Sequence, residues 1–299
     1  TMCSCSPADG GIDRKFQLIT PESLGGYGCG RPGDTRILFS RPLLIFHIDG
    51  FLYNGVMTST SYLMYGEFAP WFHLLTPPEH YADEASFITG LIHLRNPHAR
   101  NILELGSGGG NLASHLKAKF NMTLVDLSPQ MQDISRSINP ECRHLSGDMR
   151  TLRLEEIFDV VLIEDAIMYI TTAADLSATL RTCRDHLQPG GLAVIAPDWT
   201  RDEFTPGTSH GGNDAPDGSG MRYLEWIHPV QQDAHTYQTD FACLLRSADG
   251  ATRSYSETHT LGIFSTPEWL AAFRAAGFKP AMFPDQQGTK IFVAQRGMH

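Results

Sequence analysis

The chain has 299 residues, 41% of them hydrophobic, and its 33 acidic and 23 basic residues give a formal net charge of −10. An acidic chain without a basic block is a poor candidate for binding nucleic acid, because clustered lysine and arginine hold phosphate backbones. The longest apolar runs, near 158–163 and 191–196, are too short to span a membrane. The six cysteines form no legible disulfide framework, which predicts a cytoplasmic protein. The 13 histidines show no metal-binding spacing, so no metal is expected.

Residues 1–56 show no sustained hydrophobic period and hold nine of the 28 glycines. An apolar stretch at 36–48 could form a strand, but Pro42 interrupts it. We therefore predict a poorly ordered N-terminal extension over 1–56, with a cap over the functional site as the alternative. A folded domain is expected over 57–299.

A helical segment is predicted over about 81–94, before the first strand. Apolar strands then alternate with helical stretches up to residue 197. This alternation is typical of a doubly wound parallel sheet of the α/β class.

The most informative stretch lies between residues 99 and 126. An apolar strand ends at Glu104 and is followed by a glycine-rich turn, a helix and a second strand that ends at Asp126. Glycines at such a turn let backbone N–H groups approach a ligand closely, since no Cβ intervenes. An acid at the tip of the next strand can accept hydrogen bonds from ribose hydroxyls. A nucleoside-type cofactor is therefore predicted, but a dinucleotide is disfavoured because Asn111 stands where its fingerprint needs glycine or alanine.

The stretch from Glu104 to Gly110 resembles motif I of the class I S-adenosylmethionine-dependent methyltransferases. Its acid stands two residues before the first glycine, where it would repel a pyrophosphate but suits a cationic amino-acid cofactor. The resemblance implies that the glycine turn passes under the aminoacyl part of S-adenosylmethionine. It also implies that Asp126 holds the ribose.

Two later segments resemble the same family in the same order. Residues 145–149 fall where the third strand should end, and the resemblance places Asp148 near the adenine amino group, with an apolar neighbour against the ring. The unbroken apolar run 158–163 predicts a strand buried on both faces. Glu164 and Asp165 follow that strand, beside the expected site of methyl transfer.

Residues 187–197 resemble the turn and fifth strand of the same fold, since the Pro-Gly-Gly within them ends a helix and begins a strand. The resemblance implies cofactor contacts from Tyr65, Glu104, Gly106, Ser107, Gly108, Gly110, Asp126, Leu127, Met131, Gly147, Asp148, Met149 and Glu164.

The character of the chain changes after residue 199. Residues 200–221 are rich in glycine and aspartate and predict a long loop of the kind that often forms a lid. Strands are predicted over 222–230, 234–247 and 252–263. The middle run alternates between apolar and polar residues from His235 onward, and the Ala-Asp-Gly at 248–250 predicts the hairpin turn that follows it.

The C-terminal part predicts one helix and two strands. Ser265 and Glu268 have the spacing of a capping box, and Gly277 predicts the helix end. Strands are expected over 279–284 and 289–295. The predicted fold is a doubly wound, Rossmann-like seven-stranded sheet with an added antiparallel sheet for substrate binding and dimerisation.

Residues 61–295 resemble bacterial small-molecule methyltransferases, especially the N,N-dimethyltransferases that act on amino-sugar nucleotides. The shared features are the opening segment over 61–72, the 168–176 stretch, the Pro-Asp-Trp at 197–199 and the inserted strands. The resemblance implies that the opening segment is a helix and that it carries Tyr65 to the cofactor. In that family the added strands bind substrate and form dimers. The resemblance therefore implies a small-molecule acceptor and a homodimer.

The chemistry requires an amine to lose its proton before it attacks, so a base or desolvation must assist. By position, the candidates for catalysis are Tyr65, Glu164, Asp165, Tyr169 and His210, with Asp198 and His228 as further candidates. The acidic residues at the strand ends favour a cationic amine as acceptor.

Other functions stay open at this stage. An O-methyltransferase acting on a small hydroxyl or carboxyl group is one alternative, and a protein that binds S-adenosylmethionine without turnover is another. DNA and protein-glutamine methyltransferases are disfavoured, because Glu-Asp-Ala-Ile at 164–167 replaces their Asn/Asp-Pro-Pro-Tyr/Phe motif.

Overall fold

The computed structural model describes residues 62–231, 234–285 and 288–298. They belong to one compact unit, Gly55–His299. The expectation of a poorly ordered extension over 1–56 lies outside the described residues. Within the described ranges, no helix has the length and apolar character needed to cross a membrane.

The α-helices are α1 (Phe72–Leu75), α2 (Ala82–Arg95), α3 (Asn111–Leu116), α4 (Pro129–Ile138), α5 (Ala173–Asp185) and α6 (Thr266–Ala275). The strands are β1 (Asn101–Leu105), β2 (Asn121–Asp126), β3 (Arg143–Ser146), β4 (Phe158–Ile163), β5 (Leu187–Ile195), β6 (Gly207–Gly211), β7 (Gly220–Ile227), β8 (Thr236–Arg246), β9 (Thr252–Gly262), β10 (Phe278–Pro284) and β11 (Lys290–Arg296).

Seven strands form the main sheet in the order β10-β11-β5-β4-β1-β2-β3. The five strands β5, β4, β1, β2 and β3 run parallel to one another, whereas β11 runs antiparallel to both β5 and β10. The strand order reverses beside β1, so a crevice opens at the carboxyl ends of the strands there. The predicted Rossmann-like seven-stranded sheet is confirmed.

Both faces of this sheet are buried, as the continuous apolar strands require. Alternate residues of β1 enter different cores: Ile102 packs in a cluster with α2 and α3, and Leu103 packs in a cluster with α5 and α6. The same division holds for Val160 and Val161 of β4, all four of these side chains being fully buried. The strand that carries Glu104 is therefore packed on both of its faces.

The opening segment differs from the prediction of a helix over 61–72. It forms 3-10 turns at Leu63–Tyr65 and Ala69–Trp71, and α1 begins only at Phe72. Pro70 lacks the N–H that an α-helix interior needs, so the segment breaks into short turns. The predicted second helix is present as α2.

Four strands form a separate antiparallel sheet in the order β6-β7-β8-β9. The added sheet was predicted, but the prediction of an uninterrupted loop over 200–221 is wrong, because β6 lies within it. Its residues, Gly-Thr-Ser-His-Gly, carry no apolar alternation. They form a strand because all five of them pair with residues of β7.

The helix termini follow the local signals in the sequence. The Ser265 hydroxyl accepts the N–H of Glu268, and the Glu268 carboxylate accepts the N–H of Ser265, which completes the predicted capping box of α6. Gly277 follows the helix with a φ of +84°, a conformation that favours glycine.

Candidate active site

A cavity of about 660 Å³ opens at the crevice beside β1. One wall consists of the ends of β1, β2 and β4 and the residues that follow them. The opposite wall consists of one face of the antiparallel sheet, with Glu225 of β7, Thr239 of β8 and His259 of β9. These three residues share a face because Glu225 neighbours Phe241, and Thr239 is paired with His259.

The glycine turn after β1 forms the floor of the cavity. Gly106 has a φ of +74°, and its N–H donates to the Val125 carbonyl at 2.8 Å. A Cβ at this position would lie 2.3 Å from the Cβ of Ala166. Gly108 also has a positive φ, of +51°. Glycine at positions 106 and 108 therefore lets the turn lie close to a ligand and to the end of β4.

Asp126 at the tip of β2 fixes the turn from the other side. Its Oδ2 accepts the N–H of Gly108 at 2.8 Å, and its Oδ1 accepts the N–H of Ser128 at 2.8 Å. Burial raises the pKa of this carboxyl, and the two backbone N–H groups act in the opposite direction. Asp126 lines the cavity, and each of its oxygens can accept a further hydrogen bond from a hydroxyl group.

Glu104 at the end of β1 is only 3% exposed, and its Oε2 has no hydrogen-bond partner among the described residues. Burial raises its pKa to about 8, with further contributions from the Glu84 and Asp126 carboxyls. A buried acceptor without a partner is costly. The side chain is therefore arranged to receive a donor from a ligand, and a cation would also restore its charge.

An acidic wall continues beyond Glu104. Glu164 and Asp165 follow β4, and Asp198 follows β5. Burial and the neighbouring Asp165 carboxyl hold the pKa values of Glu164 and Asp198 well above their usual range. Asp198 lines the cavity and is exposed to water.

Two tyrosine hydroxyls meet where the cofactor turn and the antiparallel sheet face each other. The hydroxyl oxygens of Tyr65 and Tyr169 lie 2.7 Å apart, and that of Tyr169 lies 2.7 Å from Nδ1 of His259. His259 is 1% exposed and its Nε2 lies 3.0 Å from Oε1 of Glu257. Burial raises the pKa values of both tyrosines. At neutral pH they therefore carry protons and act as hydroxyl groups.

The same network holds the opening segment over the cavity. The Glu257 carboxylate accepts the N–H groups of Leu63 at 2.7 Å and Met64 at 3.0 Å. The ring of Tyr62 stacks on His259 with a centroid distance of 4.0 Å. Tyr65 is thus fixed by β9, which lies almost 200 residues further along the chain.

Most of the residues predicted from the sequence line the cavity. They are Tyr65, Glu104, Gly106, Ser107, Gly108, Asp126, Leu127, Met131, Gly147, Met149, Glu164, Asp165 and Tyr169.

Three of the predicted residues lie away from the cavity lining. Gly110 precedes α3, where a Cβ would meet Ser135 and Asn139. Asp148 is paired with Arg150, whose Nη2 lies 2.6 Å from Oδ2. His210 is exposed on β6, because the alternation along that strand turns the neighbouring Gly211 to the cavity instead.

Sequence reasoning missed two functional candidates, His259 and Glu225. Both lie in strands that were correctly predicted, yet nothing in their local sequence separates them from exposed strand residues. Their position follows from the pairing of β7, β8 and β9. His228, considered from the sequence, instead pairs with Asp240 at 2.7 Å away from the cavity lining.

Comparisons with known proteins agree with this geometry. A family model described as a methyltransferase domain matches residues 102–191. The dTDP-3-amino-3,4,6-trideoxy-alpha-D-glucopyranose N,N-dimethyltransferase of Streptomyces venezuelae is 30% identical over 201 residues, which cover 67% of this chain and 84% of that protein.

Solved structures show the same likeness. The sugar N-methyltransferase KedS8 from a Streptoalloteichus species has a TM-score of 0.70 at 26% identity, over 83% of this chain and all of that one. CalS10, an amino pentose methyltransferase from Micromonospora echinaspora solved with S-adenosylmethionine bound, has a TM-score of 0.62 at 29% identity, over 72% of this chain and 91% of that one.

A sheet of this order, with a glycine turn and two acids at its reversal point, defines a class I S-adenosylmethionine-dependent methyltransferase. The protein is thus an enzyme, and S-adenosylmethionine is its cofactor. Within this class the chain belongs to the family of small-molecule N-methyltransferases that includes the Streptomyces venezuelae sugar enzyme. The predictions of fold, enzyme class and cofactor are confirmed.

Proposed function

We propose that this enzyme transfers the methyl group of S-adenosylmethionine to an amino nitrogen of a small molecule. The observation that carries the proposal is the acidic wall of the cavity beyond the glycine turn, formed by Glu164, Asp165, Asp198 and Glu225. An ammonium group beside Glu164 and Asp198 lowers their raised pKa values and pairs with the resulting carboxylates, whereas a carboxylate or a phenolate would be repelled. Three relatives that match 67–73% of this chain are named as amino-sugar N,N-dimethyltransferases, and their names support the same acceptor atom. They do not favour the O-methyltransferase or the non-catalytic binding protein.

For the cofactor we propose a binding mode based on the unpaired groups of the turn. Glu104 receives the ammonium group of the aminoacyl part, and Asp126 accepts the ribose hydroxyls. Met131 and Met149 supply apolar surface to the adenine ring. The sulfonium group supplies an activated methyl group, and the residues of the chain bind, orient and exclude water around it.

For the acceptor we propose that Tyr65 and Tyr169 orient the amine. Both are held as neutral hydroxyls, so they accept or donate hydrogen bonds and do not act as bases. The proton that the ammonium must lose passes to Glu164, which acts as a base once the cations in the cavity have drawn its carboxyl into the charged form. Aromatic rings that line the cavity, including Phe72, exclude water.

The test of the proposed function is a screen for release of S-adenosylhomocysteine with amines, amino sugars, phenols and carboxylates, followed by mass spectrometry of the product. We expect methylated amines. A preference for phenols or carboxylates over every amine would contradict the proposed acceptor atom. Binding of S-adenosylhomocysteine without turnover on any acceptor would favour a non-catalytic role.

The cofactor mode predicts a pH-dependent affinity. Because Glu104 is protonated below about pH 8 in the cofactor-free protein, binding of the ligand's ammonium group must release that proton. The affinity for S-adenosylhomocysteine, measured by calorimetry, should therefore rise from pH 6 to pH 8. Glu104→Gln should bind more weakly and lose this dependence.

The raised pKa of Glu104 also predicts how the free energy of unfolding changes with pH. A raised carboxyl pKa means that the folded protein holds a proton that the unfolded chain releases, so the free energy of unfolding falls between about pH 5 and pH 8. Glu104→Gln should make this fall shallower.

Asp126→Ala, measured alongside, should lose about 1–3 kcal/mol of cofactor binding through unpaired ribose hydroxyls. Unchanged affinity in either variant would contradict its assignment.

We further propose that the enzyme is a homodimer that pairs through the outer face of the antiparallel sheet. Trp226, Leu224 and Leu244 of this face are 58%, 49% and 49% exposed, an unusual density of large apolar side chains. Trp226→Asp should convert the dimer to a monomer in light scattering. Leu94→Asp, at an exposed apolar position on α2, is the control and should stay dimeric. A monomeric parent protein would refute the proposal.

We propose a cytoplasmic location on the basis of the cysteines. Cys142, Cys183 and Cys243 are all free thiols in the part of the chain that the structure describes. Free thiols persist in a reducing compartment. Fractionation of the source cells tests the location.

A further inference from the structure

A line of four polar side chains connects an acid of β9 to the cavity. Glu257, His259, Tyr169 and Tyr65 follow one another in this order, and the polar atoms of successive residues lie 3.0, 2.7 and 2.7 Å apart. The last three residues line the cavity, whereas Glu257 lies outside the lining. The two tyrosines that are proposed above to orient the amine are thus connected to a carboxylate that the amine would not touch.

The acid at the start of this line only accepts hydrogen bonds. Its Oε2 accepts the N–H of Leu63 at 2.7 Å, and its Oε1 accepts the N–H of Met64 at 3.0 Å. The same Oε1 lies 3.0 Å from Nε2 of His259. A carboxylate has no hydrogen to donate, so the direction of the line is set from this end.

The carboxylate decides which nitrogen of His259 carries the hydrogen. The ring is 1% exposed and stacks on Tyr62, so its two nitrogens are held in place. No aligned hydrogen bond reaches Nε2 from the described residues, so its contact with Glu257 is electrostatic. An N–H at this nitrogen is attracted by the carboxylate, whereas a lone pair is repelled. A neutral ring has one N–H, so Nε2 holds the hydrogen and Nδ1 is left as an acceptor.

The hydroxyl hydrogens of both tyrosines follow from this tautomer. Because Nδ1 of His259 is an acceptor, the hydroxyl group of Tyr169 donates to it. The oxygen of Tyr169 then accepts the hydroxyl hydrogen of Tyr65. Tyr65 has no second hydrogen on its oxygen, so it offers the acceptor molecule lone pairs only.

We infer that Glu257 is a positioning residue for methyl transfer, which acts through His259 and the tyrosines so that Tyr65 accepts an N–H of the amine. The nitrogen must direct its own lone pair at the sulfonium methyl group. A hydroxyl group that donated would occupy this lone pair, whereas one that accepts holds an N–H and leaves the lone pair free. The inference rests on the proposed N-methylation and adds a residue that orders its acceptor site.

The first test measures the tautomer of His259 by NMR in the full chain. The protein carries ¹⁵N-labelled histidine and bound S-adenosylhomocysteine, at a pH of about 8.5, where an ordinary histidine is neutral. The ring signals of His259 are those that His259→Asn lacks. We expect the Nε2–H tautomer. The Nδ1–H tautomer or a doubly protonated ring overturns the inference.

The second test removes the charge of Glu257. Glu257→Gln has one acceptor oxygen in place of two, so the ring signals should shift towards the Nδ1–H tautomer. With a saturating amine, kcat should fall at least about tenfold, as when the acid beside a catalytic histidine becomes an amide. The affinity for S-adenosylhomocysteine should stay close to that of the parent, because Glu257 lies outside the cavity lining.

Glu67→Gln is the matched control for this variant. It makes the same chemical change at another carboxylate between the opening segment and β9, since Glu67 contacts Arg253 at 3.2 Å. Neither residue of this pair lines the cavity. The control should keep both the parental tautomer and the parental kcat. An equal fall of kcat in both variants overturns the inference, because Glu257 would then act only by docking the opening segment.

The remaining outcomes separate the inference from the proposed function. A parental tautomer with parental kcat in Glu257→Gln overturns the inference while N-methylation stands. If this variant does not fold, the spectrum of the parent protein still decides. If the parent methylates no amine although S-adenosylhomocysteine binds, the proposed function fails and the inference fails with it.

Discussion

Replacing Gly106 by alanine should weaken binding of S-adenosylhomocysteine more than tenfold and lower the melting temperature. The left-handed backbone at this position costs a residue with a Cβ about 1–2 kcal/mol. The added Cβ would also lie 2.3 Å from the Cβ of Ala166, which forces the turn after β1 away from the end of β4. Calorimetry and thermal unfolding measure the two effects.

A second substitution separates the steric cause from the backbone cause. Ala166→Gly in the Gly106→Ala background removes the overlap but leaves the strained φ, so it should restore part of the affinity. Gly90→Ala is the control, since Gly90 lies in α2 with nothing within 4 Å of its Cβ direction. It should stabilise the helix by about 1 kcal/mol. Parent-like cofactor binding by Gly106→Ala would refute the role given to the turn.

Replacing Tyr169 by phenylalanine should lower kcat about tenfold to a hundredfold while leaving cofactor affinity nearly unchanged. The substitution removes the hydroxyl that lies between Tyr65 and His259. It leaves both partners without their hydrogen bond, so the amine loses its orientation more than its binding. Single-turnover kinetics with a saturating amine measures the change in the chemical step.

Two comparisons support the interpretation of that result. His259→Asn keeps a hydrogen-bonding group near Tyr169 and should lower kcat less than Tyr169→Phe does. Tyr255→Phe makes the same chemical change on β9, outside the cavity lining, where its ring packs against Phe68. It should retain parent kinetics. If Tyr169→Phe also retains parent kinetics, the tyrosine pair does not orient the acceptor.

The cofactor half of the site was predictable because its signals are local. A glycine turn between an apolar strand and a helix, flanked by acids at two strand ends, is determined by residues within a single stretch of the chain. Asp148 shows what spacing leaves open. Its position after β3 fits the family, and in the structure its carboxylate pairs with Arg150, two residues further along. Pairing between neighbouring side chains is not visible in spacing, and the contact of Asp148 with the adenine amino group stays a prediction.

The acceptor half was less predictable because it depends on strand register. Predicted strands over 234–247 and 252–263 proved correct within a few residues, but which side of each strand faces the cavity could not be deduced. A shift of one residue would exchange Thr239 for Asp240 and His259 for its neighbour. Short Gly-rich β6, with no pattern of its own, was missed for the same reason.

The sequence by itself determined the alternation of strands and helices, the glycine turn, the acids beside it and the capping of α6. Each of these follows from backbone requirements within a few residues of the chain. Only the tertiary structure decided that His259, Glu225 and Thr239 line the cavity and that His210 does not. That choice depends on hydrogen-bond ladders between strands distant in sequence, and their register is fixed only when the whole sheet packs.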